Sequence, residues 1–235
     1  MNPRSYYDTF SRTYDRGRDE GYHALLDDLE VDVVRPYATG ADVLEAGCGT
    51  GRILSRLAPH AKSIVGADLS RGMLGGSQAR GLSVVQADLT ALPFPDAAFD
   101  LVCSFKVLAH VPPIERAVAE LCRVTRPGGR LVLEFYNRYS LRYLGKRLKR
   151  PSRIGDGTTD HDVFTRFDTP RELARLFPTG TRIQTFYGIR VVTPFAQVMR
   201  VPVLGSVVAS AERALVRSPL RWLGGFLVAV ARKDA

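Results

Sequence analysis

Val43-Leu44-Glu45-Ala46-Gly47-Cys48-Gly49-Thr50-Gly51-Arg52 reads as a buried β-strand, a tight glycine turn and the start of a helix. Gly47, Gly49 and Gly51 lack a Cβ, so the backbone can bend sharply and let a ligand lie against it. The helix that follows points free N–H groups at whatever sits there. A nucleotide-type ligand is implied, and the spacing narrows the choice. A dinucleotide fingerprint, Gly-x-Gly-x-x-Gly, would put its third glycine where this chain has Arg52. A P-loop needs Gly-Lys-Ser/Thr, and the turn has no lysine. Glu45, just ahead of the turn, is also foreign to the dinucleotide pattern.

Four further marks follow in order. Ser63-Ile64-Val65-Gly66-Ala67-Asp68 reads as a second strand ending in an acid, and Leu82-Ser83-Val84-Val85-Gln86-Ala87-Asp88-Leu89 as a third. Phe94-Pro95-Asp96-Ala97-Ala98-Phe99-Asp100-Leu101-Val102 leads into a fourth strand. Arg123-Val124-Thr125-Arg126-Pro127-Gly128-Gly129-Arg130-Leu131 is a turn before a fifth. Together with Glu-x-Gly-x-Gly-x-Gly, this order over residues 40–136 resembles the class I S-adenosylmethionine (SAM) methyltransferases. The resemblance implies a Rossmann-like α/β fold: a seven-stranded sheet of order 3-2-1-4-5-7-6, strand 7 antiparallel, with helices on both faces. It implies SAM as cofactor and S-adenosylhomocysteine (SAH) as product. Asp68 then accepts from the ribose hydroxyls, two donors suiting one carboxylate. Asp88 meets the adenine amino group, and Leu69 and Met73 sandwich the ring. Tyr14, Glu45, Gly47, Cys48, Gly49, Gly51, Ala87, Leu89 and Ser104 complete the expected cofactor-binding set.

The length of 235 residues, 45% of them hydrophobic, suits one domain with additions. Cys48, Cys103 and Cys122 share no metal-ligand spacing and read as free thiols of a reducing cytosol. The N-terminal residues lack the apolar stretch of a signal peptide, and no apolar run reaches the roughly 18 residues of a membrane span. A cytoplasmic location is therefore the expectation, with membrane-peripheral contact expected from charge. The chain is formally +9. Arg138, Arg142, Lys146, Arg147, Lys149, Arg150 and Arg153 crowd into segment 138–153, which has no acid. Leu141, Leu144 and Leu148 fall there at helical spacing. The segment reads as a solvated helix face, as a contact with a membrane surface or lipid, or as an RNA-binding face.

Residues 1–38 read as an N-terminal helical lid and 39–235 as the methyltransferase domain. Its substrate-side insertions span about 137–167 and 190–222. The lid string Tyr6-Tyr7-Asp8-Thr9-Phe10-Ser11-Arg12-Thr13-Tyr14-Asp15 resembles that of ubiquinone/menaquinone-type methyltransferases. Its aromatics read either as a cover for the site or as helix packing. Tyr7, Tyr22, His23, Tyr136, Tyr139 and Tyr187 are candidates for holding a hydrophobic or aromatic small-molecule acceptor. His110, just after strand 4, resembles a histidine bordering the transfer site in that group. It is the first candidate general base, or else a structural hydrogen-bonding residue at a helix start. His161, between Asp160 and Asp162, is the second candidate base, and that string also reads as a divalent-cation ligand pair. No resident metal is expected.

Nucleobase N-methyltransferases commonly carry Asn/Asp-Pro-Pro-Tyr/Phe after strand 4, where this chain has Ser104-Phe105-Lys106-Val107. That argues against nucleic-acid bases as acceptors. O-methylation of a small molecule in natural-product, quinone or lipid tailoring is the leading reading. A non-catalytic SAM-binding scaffold and an RNA-directed enzyme using the basic insertion are the alternatives.

Overall fold

The computed structural model describes residues 3–148, 153–154, 158–159, 164–193 and 195–235. Strand β1 (Asp42–Ala46) lies between β2 (Ser63–Asp68) and β4 (Phe99–Ser104), all parallel. β3 (Val84–Gln86) adds to β2, and β5 (Thr125–Tyr136) to β4, again parallel. β6 (Thr181–Ile189) and β5 flank β7 (Phe226–Lys233), which runs antiparallel to both. The order is 3-2-1-4-5-7-6 with strand 7 antiparallel, as the resemblance implies. A two-residue ladder joins Arg153–Ile154 to Thr158–Thr159.

Side chains alternate across each strand and so build two cores. Val43, Leu101, Cys103, Val132, Val228 and Val230 face one side, under α2 (Gly21–Ala38) and α3 (Arg52–Leu57). Leu44, Val102, Leu131, Leu133, Leu227 and Ala229 face the other, under α5 (Ile114–Val124) and α7 (Pro170–Ala174). β3 is shorter than its apolar pattern because an edge strand has one partner. Leu82 turns aside to pack beneath Gly51, and Leu89 turns into a cleft.

The expected lid divides into two unlike helices. α1 (Pro3–Tyr14) buries no residue and lies on α4 (Arg71–Ala79). α2 is a core helix, with Leu25, Leu26, Leu29, Val31, Val33 and Val34 buried against the sheet. The first insertion carries α6 (Leu141–Leu148), at the helical spacing of its leucines. The second carries α8 (Pro202–Leu215). α7 starts on a capping box in which Thr169 and Glu172 satisfy each other's backbone N–H groups. The cysteines are free and buried, and no described helix is long and apolar enough to cross a membrane.

Candidate active site

The carboxyl ends of β1, β2 and β4 open on one cleft, as expected where strand order reverses in an open α/β sheet. Gly47 is left-handed (φ +78°) and a Cβ there would strike the side chain of Val107. Gly49 is also left-handed (φ +55°), but its missing Cβ leaves open space on the cleft wall. The turn is tied to the end of β2. The Gly49 N–H donates to Asp68 Oδ2 at 2.9 Å and the Ser70 N–H to Oδ1 at 2.8 Å. Each carboxylate oxygen keeps a further lone pair for a ligand hydroxyl. Burial pushes Asp68 above the usual carboxylate range despite these donors. Asp88 stands at the rim, its Oδ1 accepting from the Thr90 N–H and hydroxyl.

Tyr14, Glu45, Gly47, Cys48, Gly49, Asp68, Leu69, Met73, Asp88 and Leu89 line this cleft together. Gly51, Ala87 and Ser104 do not. Gly51 caps α3 and lets α4 approach, a Cβ there falling 2.7 Å from Ser77 Oγ. Ala87 is buried beside Asp68, its N–H donating to the Asp68 carbonyl. Ser104 is fully buried, paired in register with Leu133.

On the opposite wall stand Tyr7, Phe105, Val107, His110, Val111, Pro112 and Pro113. His110 Nδ1 lies 2.8 Å from the Phe164 carbonyl and Nε2 lies 3.3 Å from the Tyr136 hydroxyl. A carbonyl only accepts, so Nδ1 carries the proton and Nε2 offers its lone pair. Burial pushes the imidazole below its ordinary value, so it is neutral at pH 7. Tyr136 sits behind His110, boxed by Phe167 and Phe226 with the Arg142 guanidinium 4.0 Å above its ring. Tyr22 and His23 also lie behind the wall, ring against ring, with Arg190 over Tyr22. Burial, then Arg18, pulls His23 down to about 4.

Two expected acceptor contacts lie elsewhere. Tyr139 is 58% exposed at the start of the first insertion. Tyr187 is on β6 with Tyr37 and under Arg217, because β6 is the sheet's far edge. His161 falls outside the described residues, as do Asp160 and Asp162.

A group of charges at the cleft floor escaped the sequence reading. Lys106 Nζ lies 2.7 Å from Asp27 Oδ1 and 2.9 Å from Glu30 Oε2, and its N–H donates to Glu134 Oε1 at 3.1 Å. Arg52 Nε meets Asp27 Oδ2 at 2.8 Å. Burial works against the Lys106 ammonium, but the Glu30 and Asp27 charges outweigh it and push its pKa up. Burial pushes Glu30 up and Glu134 up to about 7, so this facing pair holds a proton. The available signal was an acid inside an apolar pattern: Asp27 and Glu30 on the core side of α2, Glu134 within β5.

The methyltransferase domain family profile matches residues 44–133. Over that stretch the chain is similar to SAM-dependent methyltransferases. Its demethylmenaquinone methyltransferase relative from Thermobifida fusca is 33% identical over 156 residues, 63% of this chain and 64% of that one. The malonyl-acyl-carrier-protein O-methyltransferase of Serratia marcescens is 36% identical over 108 residues, 45% of this chain and 42% of that one. The chain thus spans less than two thirds of either relative. The solved magnesium protoporphyrin IX methyltransferase of Synechocystis, with bound SAH, has a similar fold, with a TM-score of 0.67 over 98% of each chain at 16% identity.

The methyltransferase domain's residues fit SAM. Gly49 leaves room at the turn, Asp68 retains acceptor capacity, and Leu69 and Met73 offer apolar flanks beside Asp88. Glu45 Oε2 is buried without a hydrogen-bond partner, an acceptor that a ligand ammonium would satisfy.

Proposed function

We propose that the chain transfers a methyl group from SAM to a small hydrophobic or aromatic acceptor, oxygen being the favoured atom. The observation that carries this reading is one cleft with two unlike walls. The glycine turn with Asp68 and Asp88 makes one, and Tyr7, Phe105, Val107 and His110 make the other. The O-methyltransferase relative from Serratia marcescens supports oxygen, and the demethylmenaquinone methyltransferase relative supports an apolar acceptor.

SAM, when bound, supplies a methyl group made electrophilic by its sulfonium. Glu45, Gly47 and Gly49 would hold its amino-acid end, Asp68 its ribose, and Leu69, Met73 and Asp88 its adenine. Alignment of the acceptor by Tyr7 and the apolar wall contributes on the order of 7–11 kcal/mol when geometry is ideal. His110 Nε2, the unprotonated nitrogen, takes the proton of an acceptor hydroxyl, for which the Tyr136 hydroxyl must release it. The Phe164 carbonyl holds the Nδ1 proton and so fixes the tautomer that can do this.

Calorimetric titration with SAM and SAH is the first test: micromolar binding of both, lost in Asp68→Ala. Folded, ligand-free protein that binds neither would overturn the reading. Binding with no labelled methyl transfer into phenolic or lipid extracts would instead favour a scaffold. His110→Ala is expected to lower turnover at least ~10-fold while SAM affinity stays within a few-fold. The His110 pKa lies below 6.5, so wild-type kcat/KM should fall only on the acid side of that value. The variant should lack this limb, and an unchanged profile would remove His110 from the mechanism.

A further inference from the structure

The chain's surplus charge sits on its two insertions. Within them, residues 137–153 and 190–221 hold twelve of the 33 lysines and arginines but one of the 24 acids, Glu212, while the rest of the first insertion adds Arg166 and the acids Asp156, Asp160 and Asp162. Glu212 is fully buried, accepting from the N–H groups of Val191, Val192 and Thr193 and from the Thr193 hydroxyl. Everything outside residues 137–153 and 190–221 carries a net charge of −2.

Exposed apolar side chains follow the same division. Among the described residues, every exposed large hydrophobic side chain lies between Tyr139 and Leu223. On α6 these are Leu141, 66% exposed, and Leu144. On the first turns of α8 they are Val203, 78% exposed, Leu204 and Val207. Gly205 between them packs on Met199, which keeps α8 anchored by its other side.

Both insertions border the cleft. The Arg166 N–H donates to the Ala109 carbonyl, and Phe164 holds His110, so the end of the first insertion lies on the cleft wall. The turn Ala196–Arg200 packs on α2, the helix that supplies Asp27 and Glu30 to the cleft floor. Gly225 separates Arg142 of α6 from Arg190 at the exit of β6, a Cβ there falling 3.3 Å and 3.2 Å from their Cδ atoms.

We propose that α6 and the first turns of α8 dock on an anionic lipid bilayer, so that the cleft opens toward it. On α6 Lys146 and Arg147 stand among exposed leucines, and Arg200 precedes the exposed valines of α8, an arrangement that matches a surface charged outside and apolar beneath. A second copy of this surface would repel the first. RNA would match the charge but has no use for an aliphatic stripe, since single strands stack on aromatic rings. Arg147 and Arg200 are exposed beside these stripes and would meet lipid phosphates. The inference goes beyond methyl transfer and does not depend on it.

The test is sedimentation of the full chain with vesicles of phosphatidylcholine, alone or with about one third phosphatidylglycerol. Binding should be at least ~10-fold tighter to the anionic vesicles and should fall steeply as salt screens the charges. Val203→Asp/Val207→Asp and, separately, Arg147→Glu/Arg200→Glu should each weaken it ~10-fold or more. Both side-chain pairs are exposed, and an unchanged melting temperature would show that the variants fold. No binding to anionic vesicles would overturn the proposal, as would equal binding to both kinds. Retained binding by the valine variant would do the same, since charge alone would then account for the contact. A dimer in light scattering that the valine variant dissociates, without vesicle binding, would assign the face to self-association. Tighter binding to single-stranded RNA than to vesicles, unaffected by the valine changes, would assign it to RNA.

Discussion

Lys106 holds a left-handed backbone conformation (φ +61°), which costs a non-glycine residue on the order of 1–3 kcal/mol. Its surroundings explain why it persists: the N–H and the ammonium together serve Glu134, Asp27 and Glu30. Lys106→Met would leave these acids without their central cation, and is expected to lower stability by ~3–5 kcal/mol in chemical denaturation. Glu134 makes a second prediction, with a defined sign. Folded, it keeps its proton up to about 7, whereas the ordinary value is 4.5. The folded state therefore binds the extra proton between those values, and the stability due to Glu134 declines as pH rises through that window. Glu134→Gln cannot ionise. Its stability relative to wild type should rise between about pH 5 and 7.5 and then level off. A constant difference across that range would show that Glu134 titrates normally.

The two N-terminal helices differ in what holds them. α2 is held by apolar burial, whereas α1 is held mainly by polar contacts. Asp8 accepts from the Ser70 hydroxyl at 2.6 Å and the Gly72 N–H at 2.9 Å, and Asp15 accepts from Thr50 and Arg80. α1 carries Tyr7 and Tyr14 to the cleft, so its release should open the site without unfolding the domain. Asp8→Ala should therefore weaken SAH binding several-fold and speed proteolysis near residues 15–20, while the melting temperature hardly moves. A large drop in melting temperature would make α1 part of the cooperative core instead. α8 is also held by an acid, but a fully buried one, Glu212. Glu212→Ala would leave three backbone N–H groups unsatisfied and should cost ~3 kcal/mol or more. The thermal melt would report it.

A cleft made by α1, α2, the glycine turn and the end of β4 couples ligand binding to global stability. At 100 times its Kd, SAH should add ~2.7 kcal/mol, which for a chain of this size is roughly 5–10 °C in melting temperature. No shift at saturation would mean that the cleft does not bind it. The sheet needs no such help. Its order was legible only through the family resemblance, which rests on the local marks each βα unit carries: an apolar strand, an acid or glycine at the carboxyl end, and a helix. The leucine spacing of α6 was legible because helical periodicity acts within one or two turns.

The sequence by itself determined the fold class, the strand order through family resemblance, and the wall of the cleft built from Gly47, Gly49, Asp68 and Asp88. Strand, turn and acid are contiguous there, so local chain geometry suffices. Tertiary structure decided which aromatics reach the cleft. Tyr7 arrives because α1 lies on α4, whereas Tyr187 is carried to the far edge by β6. It alone gathered Asp27 and Glu30 of α2 with Lys106 after β4 and Glu134 of β5, three places far apart in the chain. Nothing local specifies their meeting; it follows from α2 packing across the ends of β4 and β5, where burial turns four ordinary surface residue types into one coupled group.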